Sequence, residues 1–116
     1  VPIAVPTTGN FLAVIGNEHS HILTGSVAKA MQSHLPIVPL VVPGNGEKLP
    51  DTRRSDHTSF WEQGFPAVML TDTANFRNPH YHRPTDTLDT LNFDFMASVA
   101  EGLTAAVMDL AGRHAA

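Results

Sequence analysis

The sequence predicts a small three-layer α/β domain, because three short apolar segments alternate with stretches that carry helix signals. The apolar segments are 11–15, 37–42 and 66–71, and runs of this length are typical of strands buried in a sheet. Connections of this kind suit parallel pairing, so we expect a short, mainly parallel sheet in the strand order 2-1-3, flanked by helices. With 116 residues, we expect one domain over residues 1–116 with a single core.

The first helix and the second strand are predicted from residues that begin, end or interrupt such elements. Apolar residues recur at helical spacing over 18–34, Asn17 is placed to cap the helix, and Pro36 stops it. The second strand contains Pro39, which has no N–H to donate to a neighbouring strand. We therefore expect that strand at an edge of the sheet.

The remaining helices are also bounded by recognisable residues. Ser55 or Asp56 is expected to cap a short second helix that ends before Gly64, and Asn92 is expected to cap the last helix. The last helix carries an apolar stripe that predicts its buried face: Met96, Val99, Leu103, Val107 and Leu110.

Composition excludes several classes of function. The formal net charge is −4 with only 7 Lys and Arg, which argues against a nucleic-acid partner. Cysteine is absent, so there are no disulfides or thiolate metal sites. No apolar run reaches the ~20 residues of a membrane span, and residues 1–10 lack a signal-peptide pattern. We expect a soluble chain with no membrane partner, and its compartment stays open.

Polar side chains concentrate in two loops that follow the second and third predicted strands. The loops are 43–55 and 72–92, and the second places His80, Tyr81, His82 and Asp86 within seven positions. These side chains bind metals, move protons or stabilise an oxyanion. In parallel sheets ligands bind beyond the carboxyl ends of the strands, so we expect both clusters to form one site there.

The first cluster has ordinary structural interpretations beside the catalytic one. Asp56 is as well explained as a helix cap as by catalysis, and His57 has an even chance of being exposed and idle. Ser55, Asp56 and His57 do not form a triad with one another, because consecutive helical residues point about 100° apart.

The second cluster favours chemistry more strongly. If 78–82 is extended, His80 and His82 face one side and Tyr81 the other, and only one histidine need bind a metal. Asp86 then either orients His82 by accepting its second ring N–H or caps a turn ahead of the last helix.

Two motifs together resemble a known enzyme family. They are Arg54-Ser55-Asp56-His57-x-x-Phe60-x-x-x-Gly64-Phe65-Pro66 and, further on, Asn78-Pro79-x-Tyr81-His82-x-x-x-Asp86-Thr87. This arrangement resembles the C-terminal half of a co-catalytic zinc peptidase of the twenty-eighth metallopeptidase family. That family holds bacterial aminopeptidases and relatives of glutamate carboxypeptidase and glutaminyl cyclase. The resemblance runs from about Asn10 through the last helix.

The resemblance implies a role for each matching residue. His82 is similar to the last zinc ligand in chain order, and the Tyr81 hydroxyl to a group that stabilises the tetrahedral intermediate. Arg54 resembles a position that lines the substrate cleft, and Asp56 and His57 belong to a supporting part of the same catalytic rim. We add two neighbouring residues of the second loop to the expected substrate-binding set: Asn78 and His80.

The family's other zinc ligands have no counterpart in this sequence. They come from a His-x-Asp pair, a bridging Asp, a Glu-Glu pair and a further acidic residue, and the chain contains neither His-x-Asp nor Glu-Glu. A catalytic zinc needs three protein ligands, so the ancestral di-zinc site is incomplete and zinc stays an expectation of the resemblance.

Three hypotheses follow. The chain is a hydrolase of zinc-peptidase ancestry that cleaves a peptide or an ester, or a non-catalytic half-domain that oligomerises or docks on a partner. The third hypothesis is a metal-independent esterase that uses Ser20, Ser55 or Ser59 with His57 or His82. In all three hypotheses, the strands that precede this region in the family are missing, which would expose a sheet edge that they cover. Because exposed edges pair readily with other strands, we expect a homo-oligomer, and first of all a two-fold dimer.

Overall fold

The computed structural model of the chain describes residues 10–72 and 78–112. Its sheet has three strands, β1 (Leu12–Asn17), β2 (Ile37–Val42) and β3 (Val68–Thr71), in the order β2-β1-β3. The α/β class and the predicted strand order are therefore confirmed, and Pro39 lies in an edge strand as expected.

The direction of the third strand differs from the prediction. β1 and β2 are parallel, but β3 is antiparallel to β1, with Gly16 opposite Val68 and Ala13 opposite Thr71. The helix between β2 and β3, α2 (His57–Glu62), has only six residues and spans about 9 Å. It stays near the carboxyl end of β1, where Trp61 packs with Ile15, so the chain enters β3 from that end.

Helices cover both faces of the sheet. Leu12 and Val14 point towards α1 (His21–Met31) and α3 (Phe93–Gly112), while Ile15 points to the other face, where α2 lies. Because alternate residues of a strand face opposite sides, the buried side chains form two core clusters, one on each face of the sheet. The result is the predicted three layers. Short 3₁₀ turns complete the elements at Glu18–Ser20, Pro50–Arg53 and Leu88–Thr90.

The predicted helix ends are partly correct. The Asn17 side chain accepts the Ser20 N–H at 3.0 Å, and the Asn92 side chain accepts the Phe95 N–H at 3.0 Å. Gly64 ends α2 with a φ of 79°, a conformation that glycine adopts easily. Asp56 precedes α2, but its side chain makes no capping hydrogen bond, so the predicted cap is wrong.

The buried face of α3 is rotated from the predicted stripe. Val99 and Leu110 pack on the core as expected, but Met96, Leu103 and Val107 are 48%, 40% and 56% exposed. The fully buried positions are two small residues, Gly102 and Ala106. A Cβ at Gly102 would lie 3.0 Å from a methyl carbon of Leu35 and 3.3 Å from the methyl carbon of Met31 in α1, so the small residue permits the close approach of α1 and the segment after it. The buried side of α3 therefore carries small residues, where the sequence pattern predicted large apolar ones.

By length and composition alone, α3 is long and apolar enough to cross a membrane. Only 11% of this stretch is buried, although Phe95 and Val99 of α3 pack on the core cluster beneath it. One side of α3 therefore packs on the domain, and length and composition alone do not make the helix a membrane span.

Gly16 offers a test of how β1 packs on α1. A Cβ at this position would overlap the Thr24 Oγ1, and Thr24 is itself buried and donates to the Ser20 carbonyl at 2.8 Å. We expect Gly16→Ala to lower the free energy of unfolding by about 1–3 kcal/mol, the usual cost of overpacking. Urea unfolding of the single and double variants measures this. Because Thr24→Ala removes the overlapping atom, the double variant should lose less free energy of unfolding than the two single variants lose together. Strictly additive losses would contradict this account.

Candidate functional site

Arg54 and Tyr81 bring the two polar loops into contact. The Arg54 Cζ lies 5.6 Å from the centre of the Tyr81 ring, within the range of a cation–π contact. The predicted meeting of the two loops is thus observed, although the predicted reason is wrong. β3 ends at Thr71, opposite Ala13 near the start of β1, so this loop leaves from the other end of the sheet.

Tyr81 and His82 stack on each other. Their ring centres are 4.1 Å apart and the ring planes differ by 18°. His82 has a φ of 54°, in the left-handed region that non-glycine residues seldom adopt. In an extended segment these neighbouring side chains would point to opposite sides. Residues 78–82 are therefore not extended: the Tyr81 N–H donates to the Asn78 carbonyl at 3.3 Å, forming a turn.

Asn78 and His80 hold the shape of this turn. The Asn78 side-chain oxygen accepts the His80 N–H at 2.9 Å, and His80 Nδ1 lies 2.9 Å from the Thr85 hydroxyl. The Arg83 N–H donates to the His80 carbonyl at 3.0 Å. These contacts position the neighbouring Tyr81 and His82, and a substrate contact for Asn78 or His80 stays a prediction.

The backbone of Asp86 forms part of a turn with Arg83. Asp86 is exposed, its N–H donates to the Arg83 carbonyl at 3.0 Å, and it borders a shallow pocket with Leu88 and Leu91. Across residues 78–112, the structure contains no hydrogen bond between the Asp86 carboxylate and His82. The arrangement supports the turn interpretation of Asp86 over the role of orienting His82.

His57 is buried beneath the turn that precedes Arg54. It is 6% exposed, its Nε2 lies 2.6 Å from the Thr52 carbonyl, and its ring meets Trp61 edge-on at 4.5 Å. A carbonyl only accepts, so Nε2 carries a proton that points at the backbone. His57 ties the turn before Arg54 to α2, while Asp56 is exposed beside it. This geometry favours a supporting role for His57, whereas a role for Asp56 stays a prediction.

The serines proposed for an esterase are poorly placed. Ser20 is 1% exposed, and its Oγ accepts the Ala67 N–H at 2.9 Å, which joins the start of α1 to the strand β3. Ser55 and Ser59 are exposed, and neither is hydrogen-bonded to a histidine in the part of the chain that the structure describes.

A polar network at the carboxyl ends of β1 and β2 went unrecognised in the sequence. The Asn17 side chain donates to the Asn45 side chain at 2.7 Å, and Arg53 donates to the Asn45 carbonyl at 2.6 Å. Arg53 also pairs with Glu62 of α2 at 2.5 Å. The Asn-Gly turn signal at Asn45 was the available hint, but its partners are up to 28 residues away in the chain. This network holds the loop that leads to Arg54.

The residues that the structure describes do not by themselves form a zinc site. Over residues 10–72 and 78–112 there is no group of three histidine, aspartate or glutamate side chains close enough to share a metal ion. Tetrahedral zinc needs at least three protein ligands, and His82 supplies one imidazole. The described residues therefore do not fit a catalytic zinc unless other polypeptide contributes ligands.

Comparisons with known proteins agree on one family. The sequence pattern of "Peptidase family M28" matches residues 4–107. The chain is 38% identical over 100 residues to the uncharacterized protein YfbL of Escherichia coli (strain K12), which covers 84% of this chain and 30% of that protein. It is 40% identical over 58 residues to leucine aminopeptidase 1 of Arthroderma otae, covering 49% of this chain and 16% of that protein.

A second protein of that fungus is more similar over a shorter stretch. It is a probable leucine aminopeptidase, 51% identical over 53 residues, which covers 41% of this chain and 14% of that protein. The chain thus spans less than a third of the length of these relatives. No solved structure matches the chain.

The left-handed backbone of His82 can be tested by stability. Asparagine tolerates this conformation, whereas a β-branched side chain does not. We expect His82→Val to be about 1–2 kcal/mol less stable to urea than His82→Asn. The matched control is the same pair of changes at Arg83, whose φ is not positive. A difference of equal size at Arg83 would show that the cost is unrelated to the backbone of His82.

Glu47 makes the loop that contains Asn45 sensitive to acid. Hydrogen bonds from its own N–H and from the Asn45 N–H, together with the nearby Arg53 charge, hold the pKa of Glu47 below its ordinary 4.5. A lowered folded-state pKa adds stability above the unfolded pKa, and this is lost as pH falls through the folded value. Glu47→Gln should therefore flatten the loss of stability below pH 4.5, followed by urea unfolding across acid pH. Glu101→Gln, on α3, is the control, and an equal flattening there would refute the assignment.

Proposed function

Because this chain belongs to peptidase family M28, we propose that it forms the substrate-facing rim of an aminopeptidase-type hydrolase. The catalytic zinc ligands other than His82 then come from polypeptide outside the described residues. Two findings support the proposal: the named fungal relatives are leucine aminopeptidases, and the chain spans 30% of YfbL. The substrate is a peptide with a free amino terminus, and esters of similar shape are a secondary substrate.

The cluster of Arg54, Tyr81 and His82 is the observation that carries this proposal. Peptide hydrolysis passes through a tetrahedral intermediate whose oxygen becomes negative, and a preplaced O–H donor stabilises it. Tyr81 is half-buried between two supports, the Arg54 guanidinium and the His82 ring. These contacts restrict the ring, so its hydroxyl has a defined direction before substrate arrives.

Arg54 has a second use at this rim. Its side chain is 46% exposed, and besides the Tyr81 ring its contact within residues 10–72 and 78–112 is a long hydrogen bond, 3.5 Å, to Asp51. A guanidinium presents five donors in a fixed fork, so several remain for a peptide carbonyl or carboxylate. Arg54 thus holds Tyr81 and binds the part of the substrate that lies beyond the scissile bond. His80 borders the same turn and extends this surface.

The serine esterase receives no structural support. Of its three serines, the buried Ser20 is committed to the backbone of Ala67. The buried His57 directs Nε2 at Thr52 rather than at a hydroxyl. The non-catalytic half-domain stays an alternative that activity measurements decide.

A chimera isolates the role of the Tyr81 hydroxyl. The matching segment of YfbL is replaced by the homologous 100 residues of this chain, and hydrolysis of leucyl p-nitroanilide is followed with zinc supplied. We expect Tyr81→Phe to lower kcat by about 10²–10³-fold with little change in KM, because the hydroxyl acts mainly in the transition state. Phenylalanine keeps the ring and its contacts, so melting temperature should not change.

The isolated chain and a blocked substrate are the controls. N-acetyl-leucyl p-nitroanilide should not be cleaved, and a chelator should abolish cleavage of the free amine. The 116-residue chain alone should retain less than one zinc per chain after dialysis and cleave neither anilide. A Tyr81→Phe chimera with full activity would refute the oxyanion role. Cleavage of an aryl ester by the isolated chain, blocked by a serine-reactive phosphonate, would instead support the esterase.

A further inference from the structure

We propose that the Arg54 guanidinium is a binding subsite for a free carboxylate and that the rim therefore selects dipeptides. In a dipeptide the carboxylate lies on the residue that directly follows the scissile bond. This inference rests on the proposed function, because it names the substrate class of the same site. Arg54 directly follows the 3₁₀ turn Pro50–Arg53 and lies over the ring of Tyr81, to which we assign the oxyanion role.

Two consecutive arginines at this turn have opposite surroundings. Arg53 is committed to the protein: its Nη1 donates to the Asn45 carbonyl at 2.6 Å, its Nη2 pairs with Glu62 at 2.5 Å, and its side chain is 22% exposed. The Arg54 side chain is 46% exposed, and in the part of the chain that the structure describes its hydrogen bond runs from Nη1 to Asp51 at 3.5 Å. The charge of Arg53 thus holds the loop, whereas the charge of Arg54 can bind a ligand.

The contact with Tyr81 leaves the hydrogen-bond donors of Arg54 available. An aromatic ring attracts a guanidinium through its charge and uses none of its five N–H donors. The Nε and Nη2 donors form a fork that matches the two oxygens of a carboxylate, and among the described residues this fork has no hydrogen-bond partner. A carboxylate fills the fork with two charged oxygens, whereas an amide offers one neutral oxygen.

Asp51 competes for the charge of Arg54. Its side chain is also 46% exposed, and the contact between the two is long. Exposed ion pairs contribute little to stability, because water and salt screen them. A ligand carboxylate that accepts two shorter hydrogen bonds from the fork therefore displaces Asp51.

The distance between Arg54 and Tyr81 sets the length of the substrate. The Arg54 Cζ lies 5.6 Å from the centre of the Tyr81 ring. One extended residue spans about 3.3–3.6 Å, and hydrogen bonds to the Tyr81 hydroxyl and to the guanidinium add their own lengths at its two ends. One residue therefore fits between the two groups. In a tripeptide the carboxylate lies about 3.3–3.6 Å further along, beyond the guanidinium.

Binding to the isolated chain tests the carboxylate subsite without zinc. Leucyl-glycine or leucyl-glycinamide is titrated to about 50 mM at constant ionic strength, and nuclear magnetic resonance follows the ring protons of Tyr81. We expect leucyl-glycine to shift these signals with a Kd of roughly millimolar size, and the amide to bind at least about tenfold more weakly. An aspartyl side chain carries the same group, so leucyl-aspartic acid α-amide distinguishes the two sources; it should bind more weakly than leucyl-glycine.

Variants of the charged residues identify the group that binds. Arg54→Gln should abolish the difference between leucyl-glycine and its amide, and Arg54→Lys, which keeps the charge without the fork, should retain part of it. Asp51→Asn removes the competing carboxylate and should tighten leucyl-glycine binding by about two- to fivefold. The matched control is Arg83→Gln, a change of an exposed arginine in the Tyr81 turn, which should leave binding unchanged.

The YfbL chimera tests the selection of length. It should cleave leucyl-glycine with a kcat/KM at least about tenfold above that for leucyl-glycyl-glycine, and Arg54→Gln should bring this ratio close to one. A chimera that cleaves leucyl p-nitroanilide without preferring the dipeptide overturns this inference and leaves the proposed function intact. A folded, zinc-loaded chimera that cleaves none of these substrates refutes the proposed function, and the titration then decides whether Arg54 binds a carboxylate.

Three results of the titration overturn the subsite itself. They are equal binding of leucyl-glycine and its amide, an unchanged difference in Arg54→Gln, and an equal loss of binding in Arg83→Gln. Binding of the aspartic acid α-amide as tight as that of leucyl-glycine overturns the selection of dipeptides, because a side-chain carboxylate would then serve as well.

Discussion

The contact between Arg54 and Tyr81 joins two parts of the chain that the sheet would otherwise keep apart. Arg54 follows the loop at the carboxyl end of β2, whereas the Tyr81 turn follows β3, which runs in the opposite direction. The two segments meet at one surface, where the Arg54 guanidinium lies over the Tyr81 ring. Every functional interpretation of the rim depends on this contact, because Tyr81 and His82 have a defined position only if the turn stays against the Arg54 loop.

Beneath this contact, polar bonds hold the loop that carries Arg54. The buried His57 bonds the Thr52 carbonyl, and Arg53, nearer the surface, joins the Asn45 carbonyl to Glu62. A buried polar group without a partner is costly, so the His57 bond strongly favours the observed conformation of this loop. The residues that look most reactive in the sequence are thus divided. His57 and Ser20 are buried and build the scaffold, while Tyr81 is half-buried and His82 is exposed.

Local features of the fold could be predicted from sequence, and features set by distant packing could not. Asn17 and Asn92 act as caps through neighbours three residues away, so their signals are contained in the local sequence. The direction of β3 depends on where Trp61 packs, and the buried side of α3 depends on how closely α1 approaches Gly102. Likewise, the left-handed backbone of His82 is only weakly signalled by its residue type, although histidine adopts this conformation more often than most residues. The family motif pointed to residues 78–82, but the geometry of this turn came only from the structure.

The most direct test of this account is a nuclear Overhauser measurement on Tyr81, the single tyrosine of the chain, whose ring resonances are therefore unambiguous. The account predicts cross-peaks from the Tyr81 ring protons to the side-chain methylenes of Arg54 and to the His82 ring. Cross-peaks limited to residues adjacent in sequence, with none to Arg54, would contradict it, because the two loops would then not share a surface.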